Sequence, residues 1–209
     1  MKAIVFDFDG VIIDSFNFHL NCLREFSNIQ ITANDLKESL YGNIFENKNE
    51  ALSKINWDKY HEYIIEQGYL DIPLNEDVKD VLDEIEKDFN LFVITSGSKK
   101  LISKNLENNN VLKNFKEVLG AEDNPSKVEK FNMIKQKYNL DNKDILFITD
   151  TLGDIKEAKK LDIKTIAVNF GFHEEEVLQK GNPDSIISNF NQIYDNIGII
   201  NSQNESKTK

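Results

Sequence analysis

The chain opens on a short apolar run, Ala3-Ile4-Val5-Phe6, that stops at the acidic turn Asp7-Phe8-Asp9. Apolar runs of this length suit a strand buried on both faces of a parallel sheet, with its carboxyl end meeting solvent. After Asp14 the period changes. Phe16, Leu20, Leu23 and Phe26 recur at helical spacing, with Asp14 or Ser15 placed as the cap. Asn34 predicts the cap of a second short helix through Leu36 and Leu40, with Gly42 as its stop. Ala51, Leu52 and Ile55 predict a further turn or two. Trp57, Tyr60 and Ile64 predict another amphipathic helix that runs out near Gly68. Residues 15 to 72 carry no strand pattern and read as a small all-helical unit.

From Pro73 the rhythm is that of alternating helices and strands. Asn75 is expected to cap a helix that buries Val78, Val81, Leu82, Ile85 and Phe89. Leu91-Phe92-Val93-Ile94 predicts a strand, broken at once by Thr95-Ser96-Gly97-Ser98. A helix with Leu101, Ile102 and Leu106 follows, then a short strand near Val118-Leu119 and a helix carrying Val128, Phe131, Ile134 and Tyr138. Ile145-Leu146-Phe147-Ile148 predicts the strand that enters Asp150. The helix after it ends near Leu161, and Lys164 to Val168 is the last clear strand. This alternation predicts an α/β fold, a Rossmann-like doubly wound parallel sheet carrying the inserted helical unit. The core is expected to span residues 1–14 and 73–209, with the polar stretch Asn201 to Lys209 frayed.

The chain has 209 residues, of which 40% are hydrophobic and 29% charged, enough to bury a real core around one α/β domain plus an insertion. No apolar run approaches the roughly 18 residues of a membrane span. The amino terminus lacks the pattern of a signal peptide, so the expected compartment is the cytoplasm. Cys22 is the only cysteine, which leaves no internal disulfide and predicts a small core residue. The formal net charge of −11 argues against nucleic acid as a partner. It also means that an anionic substrate must be drawn in by a local positive centre, either a metal ion or a placed lysine.

Candidate chemistry collects where parallel sheets bind ligands, beyond the carboxyl ends of the strands. Asp7 and Asp9 follow the first strand, Thr95 the second, and Asp150 and Asp154 the strand at Ile145; Lys127 starts a helix. Any one of them alone reads as a helix cap or a solvated turn. Together they form an acidic cluster that needs a counter-charge, and a hard cation with oxygen ligands, magnesium, suits it.

In their order and spacing these residues resemble the haloacid dehalogenase-like hydrolases. Asp7-Phe8-Asp9-Gly10-Val11-Ile12-Ile13-Asp14-Ser15 is similar to the first motif of that family and Ile94-Thr95-Ser96 to the second. Lys127 resembles the third, and Thr149-Asp150-Thr151-Leu152-Gly153-Asp154 the fourth. Val168-Asn169-Phe170-Gly171-Phe172-His173 resembles the loop after the fourth motif in the phosphoglycolate-phosphatase-like branch. The resemblance implies a phosphatase acting on a small phosphorylated metabolite. Asp7 would be the nucleophile that forms an aspartyl-phosphate, and Asp9 the general acid and base. Thr95, Ser96 and Lys127 would bind the phosphoryl group. Magnesium would be held by Asp7, the Asp9 carbonyl, Asp150 and Asp154, the last directly or through water. An acid at Asp9 favours phosphate esters over carbon–halogen bonds, because an alkoxide needs a proton to leave and a halide does not.

Two departures from the family pattern stand out: Thr149 replaces the usual Gly (or Glu), and Lys127 lacks the common following proline, with Lys130 as a less favoured substitute. Residues 15–72 match the placement of the small C1-type helical cap. Within it, Arg24 is the chain's only arginine, and a solvated position or ion pair is at least as good a reading as a substrate contact. His19 stands where related phosphomutases carry a histidine near the hinge, and is either a substrate-binding residue or one packed at the cap's base. His61 and His173 have no metal-ligand spacing and read as structural or exposed. A sugar phosphomutase on the same core is an alternative, weakened because Asn43, Ile44 and Phe45 follow Gly42 where a substrate-gripping arginine is expected. A non-catalytic regulator or binding module is the second alternative. A receiver-like domain has its acidic residues in another chain order and no inserted cap. Phosphoglycolate, nucleotide monophosphates and sugar phosphates all remain open as substrates, and so does the oligomeric state.

Overall fold

The computed structural model describes residues 1–44 and 52–198. Six strands run in the order β3-β2-β1-β4-β5-β6, all parallel: β1 (Ala3–Phe6), β2 (Asn90–Ile94), β3 (Phe115–Leu119), β4 (Ile145–Thr149), β5 (Lys164–Val168) and β6 (Ser185–Ile187). The chain winds outward from β1 to β3, then crosses back to β4 and winds the other way. A crevice therefore opens between the carboxyl ends of β1 and β4, where doubly wound sheets bind ligands.

The apolar runs are continuous because both sheet faces are covered. Along β1, Ile4 and Phe6 enter one core while Ala3 and Val5 enter the other, and all four are fully buried. Phe6 stacks on Phe190, and Phe131 meets Phe147 edge-on across the opposite face. The flanking helices α4 (Val78–Ile85), α5 (Lys99–Asn108), α6 (Lys127–Tyr138) and α7 (Leu152–Lys159) follow the apolar spacing closely; Val78, Val81, Leu82 and Ile85 all lie in the buried face of α4.

Between β1 and α4 the described residues form the helices α1 (Phe16–Ser27), α2 (Ala33–Ser39) and α3 (Trp57–Glu66), and among the described residues 15–72 contain no strand. The two chain segments that enter and leave this region are tied together. Ile13 bridges Leu74, the Asn75 N–H donates to the Ile12 carbonyl at 2.9 Å, and the Asn75 side chain donates to the Val11 carbonyl at 2.9 Å. Cys22 is buried, as its spacing predicts.

Several local expectations fail for identifiable reasons. Thr32, not Asn34, caps α2: its hydroxyl accepts the Asp35 N–H while the Asp35 side chain accepts the Thr32 N–H, a reciprocal box that Asn34 cannot make. That helix stops at Ser39, short of Gly42. Asn75 does not cap α4, because its amide is spent on Val11; Asp77, at φ 64°, occupies the cap position. Ser15 sits at the cap of α1 but makes no capping bond, its hydroxyl being turned to Asp9. The chain continues past β5 with α8 (Glu175–Gln179) and the three-residue edge strand β6, too short to carry a readable pattern. The expectations for Phe45, Ala51 and the tail from Asn201 lie outside the described residues. Among the described residues no helix is long and apolar enough to cross a membrane.

Candidate active site

The crevice between β1 and β4 brings together Asp7, Asp150, Asp154 and Lys127. Asp7 is the first residue past β1. Its N–H still pairs with the Ile148 carbonyl at 2.8 Å, and its carboxylate accepts the Phe8 N–H at 2.8 Å, which fixes the side chain over the strand end. Lys127 begins α6, and its backbone N–H donates to the Glu157 carboxylate at 3.2 Å, anchoring the helix start on α7. From there the Lys127 ammonium reaches Asp7 at 2.9 Å and Asp154 at 2.5 Å, with all three side chains nearly excluded from solvent. Burial works against the ammonium, but Asp154 and Asp7 together hold its pKa well above the ordinary lysine value. Lys130 lies one turn on, fully buried, and donates to the Thr95 carbonyl, not to the acids.

Asp150 is enclosed by glycines. Gly10, at φ 77°, and Gly171 approach so closely that a Cβ on either would fall within 2.5 Å of its side chain. One Asp150 oxygen accepts the Phe172 N–H at 2.7 Å; the other is buried with no partner. Burial raises Asp150 to about 7 and raises Asp7 well above its ordinary value, with Asp154 adding to both. Asp154 is the exception. Against its burial, Lys127 and the bonds from Asp7, Lys127 and Thr149 lower it. The Thr149 hydroxyl donates to Asp154 at 2.7 Å, so the residue that departs from the family pattern holds this carboxylate.

Asp9 points another way. Its carboxylate accepts Ser15 Oγ at 2.7 Å, His19 Nε2 at 3.2 Å and Tyr69 Oη at 3.0 Å. His19 Nδ1 in turn lies 3.0 Å from Tyr60 Oη, and with Asp9 ionised Nε2–H donates to Asp9. Burial opposes ionisation of Asp9, but these donors outweigh it and lower its pKa. Tyr60 and Tyr69 escaped the sequence reading because they lie 41 and 60 residues from the groups they touch; Tyr60 reads as an ordinary helix face, and Tyr69 lies past the expected end of that helix. Thr95 is buried at the end of β2 with its hydroxyl oxygen accepting the Gly97 N–H at 3.0 Å, and Ser96 lines the same cavity.

That cavity, about 660 Å³, extends from Asp7 and Lys127 up between the helices, past His19, Tyr60 and Tyr69 to Trp57 and His61. Arg24 is not part of it; its Nε donates to the Ile31 carbonyl at 2.6 Å and closes the loop after α1. His173 is buried, not exposed: Leu152 N–H donates to Nδ1 at 2.9 Å and Nε2–H donates to the Lys37 carbonyl at 2.8 Å, joining α7 to α2. Around it Gly153 N–H donates to the Leu40 carbonyl at 2.9 Å, and Lys37 pairs with Glu174.

Three buried carboxylates (Asp7, Asp150 and Asp154) facing one ammonium leave an excess of negative charge, and Asp150 keeps an oxygen without a partner. An oxygen-ligated divalent cation fits both features. The acids are not drawn into a finished ligand set, and among the described residues no three His, Cys, Asp or Glu side chains converge as one. The reason is visible in their partners: Asp154 is turned to Lys127 and Thr149, and the Asp9 side chain to Ser15, His19 and Tyr69.

The similarities to known proteins agree with this geometry. The chain is 25% identical over 153 residues to a phosphoglycolate phosphatase of Salmonella typhi, which covers 71% of this chain and 60% of that relative. It is 21% identical over 155 residues to a phosphoglycolate phosphatase of Vibrio parahaemolyticus, covering 72% of this chain and 68% of that one. The chain thus spans about 60% of the first relative's length. Two solved structures share the fold. A haloacid dehalogenase-like family hydrolase from Streptococcus pneumoniae superposes with a TM-score of 0.78 at 20% identity, over 94% of this chain and 98% of that one. A predicted phosphatase from Clostridium acetobutylicum gives 0.79 at 20% identity, over 94% and 97%. The family model described as "Haloacid dehalogenase-like hydrolase" matches residues 4–168, from β1 to the end of β5, and so spans Asp7, Asp9, Thr95, Lys127, Asp150 and Asp154. The chain belongs to the haloacid dehalogenase-like hydrolases.

Proposed function

We propose that this protein hydrolyses small phosphomonoesters with magnesium, through an aspartyl-phosphate on Asp7, and that residues 15–72 serve as its cap. The observation that carries the reading is the Lys127 ammonium held between Asp7 and Asp154, with an acid two residues past Asp7 facing the same cavity. An Asp7 oxygen attacks phosphorus, and the bond from phosphorus to the ester oxygen breaks. Asp9 delivers a proton to the departing alkoxide. A water then attacks the phosphoryl group, Asp9 takes up its proton, and the bond to Asp7 breaks to release inorganic phosphate. Lys127 and the Thr95 hydroxyl offset the charge that gathers on the phosphoryl oxygens. Magnesium, held by Asp7, the Asp9 carbonyl and Asp150 with Asp154 behind them, would supply the remaining positive charge there.

Asp9 rests as a carboxylate, since three donors converge on it. A phosphoryl dianion arriving beside it favours protonation, which is the state the first step needs. The test is phosphate release across a metabolite panel, with and without a chelator, for the wild type and for Asp7→Asn and Asp9→Asn. Chelation and Asp7→Asn are expected to abolish turnover, and Asp9→Asn to remove most of it. Near-normal rates in the Asp7 variant would refute the mechanism.

A further inference from the structure

We infer that the leaving alcohol of the natural substrate carries no anionic group: the cavity is shaped for an uncharged or cationic body with apolar surface, larger than a two-carbon acid. The inference rests on the phosphatase reading above and concerns the part of the cavity beyond the phosphoryl group. Four observations carry it. Among the described residues that line the cavity, Lys127 is the only lysine or arginine, and it is already held by Asp7 and Asp154. The walls above it are largely apolar, formed by side chains such as Leu23, Leu36 and Ile64 with the rings of Tyr60 and Tyr69. Both acids on the wall away from the crevice, Asp58 and Glu122, face a second anion with like charge.

The fourth observation concerns a helix start that could otherwise bind an anion. The amino end of α5 opens on the cavity beside Ser98, and helix starts attract anions. Here that position is filled by the protein. The Glu122 carboxylate accepts Ser98 Oγ at 2.5 Å and the Lys99 N–H at 2.8 Å. The Lys99 ammonium is turned away to Asp123 at 3.1 Å. A substrate carboxylate would therefore meet neither a free helix start nor a free ammonium on this wall. At the mouth, Trp57 is 40% exposed and stands edge-on to Tyr60, a face suited to a ring or an alkyl group.

A carboxylate placed in such surroundings without a partner weakens binding by about 10- to 100-fold relative to a neutral group of the same size. The inference parts from the activity named for the Salmonella and Vibrio relatives, whose namesake substrate ends in a carboxylate.

Three esters of matched length test it: hydroxyethyl phosphate, phosphoethanolamine and phosphoglycolate, with benzyl phosphate as a larger neutral body. The expected result is a kcat/KM at least 10-fold higher for hydroxyethyl phosphate and phosphoethanolamine than for phosphoglycolate, with benzyl phosphate higher still. Glu122→Gln and Asp58→Asn should narrow the gap by improving phosphoglycolate and weakening phosphoethanolamine, with hydroxyethyl phosphate little changed. A kcat/KM for phosphoglycolate equal to or above that of hydroxyethyl phosphate overturns the inference. The same esters are titrated calorimetrically into Asp7→Asn. If the wild type turns over none of them, binding decides the inference: tighter binding of hydroxyethyl phosphate by 10-fold or more upholds it, and equal or undetectable binding overturns it, whereas the phosphatase reading itself fails when no ester of the wider panel is turned over.

Discussion

Replacing Thr149 by valine isolates one bond in the crevice while leaving its shape nearly unchanged. Thr149 ends β4, is fully buried, donates its hydroxyl to Asp154 at 2.7 Å and accepts the Thr151 N–H at 3.3 Å. A hydrogen bond to a charged group is worth about 1.5–3 kcal/mol, and the longer bond to Thr151 at most about 1 kcal/mol more. The valine methyl fills the space of the hydroxyl, so no cavity term is added. A total loss of about 1.5–4 kcal/mol is expected, or a fall in Tm of about 3–16 °C for a chain of this size. Urea unfolding at pH 7 measures it, with an unchanged m-value showing that only stability moved. Thr149→Ser, which keeps the hydroxyl, should recover most of the loss. Freed from Thr149, the Asp154 carboxylate is left to Lys127 and Asp7, and the magnesium concentration for half-maximal phosphate release should change in the valine variant and not in the serine one. Stability within about 0.5 kcal/mol of wild type, together with an unchanged magnesium response, would refute the role assigned to this bond.

Tyr69→Phe removes one of the three donors on Asp9. Because the folded state lowers the Asp9 pKa, the stabilisation is present above about pH 3.9 and is lost as pH falls through the lower folded value; in the variant that loss should begin at higher pH, as melts between pH 3 and 6 would show. His173→Phe keeps the ring and deletes both bonds that join α7 to α2, for an expected cost of about 2–4 kcal/mol by chemical unfolding and faster proteolysis within residues 33–44. Burial lowers His173, and its neutral form makes both bonds, so its contribution to stability is lost as pH drops below about 6.5, and the stability difference between wild type and variant should shrink across that interval. Lys130, buried beside Lys127, is lowered to about 8. Between that value and about 10.4 the unfolded chain binds the extra proton, so wild-type stability should gain a contribution as pH rises through this window; Lys130→Met should remove it in unfolding curves at pH 7 to 10.

What could be read in advance was whatever is written locally. Ala3 to Phe6 and Ile145 to Ile148 announce buried parallel strands because both sheet faces are covered, and Asp7 and Asp150 announce their ligand-facing ends. Lys127 was recognisable by its place in a chain-wide order of motifs, and it does reach Asp7 and Asp154 where Lys130 does not. The local errors were contests between two candidates of the same chemistry. Thr32 takes the cap from Asn34 because only Thr32 has an acid three residues on. Asn75 loses its predicted role because Val11, distant in sequence, claims its amide.

The illegible part is the set of contacts that decides what each acid does. Asp7, Asp9 and Asp150 are three similar residues at strand ends, yet their surroundings drive them apart. Burial among other carboxylates pushes Asp7 and Asp150 up, while Ser15, His19 and Tyr69 pull Asp9 down. Burial acts on all three, so the difference lies in what faces each acid, neighbouring carboxylates at Asp7 and Asp150 and hydrogen-bond donors at Asp9. Asp9 draws two of its donors from the helical segment that follows it and one from the far end of that segment, at Tyr69. In the proposed cap role, those helices therefore do more than exclude water. They set the protonation state of the residue proposed to hand over the proton, and a substrate that displaced Tyr69 would change that state in the direction the reaction requires.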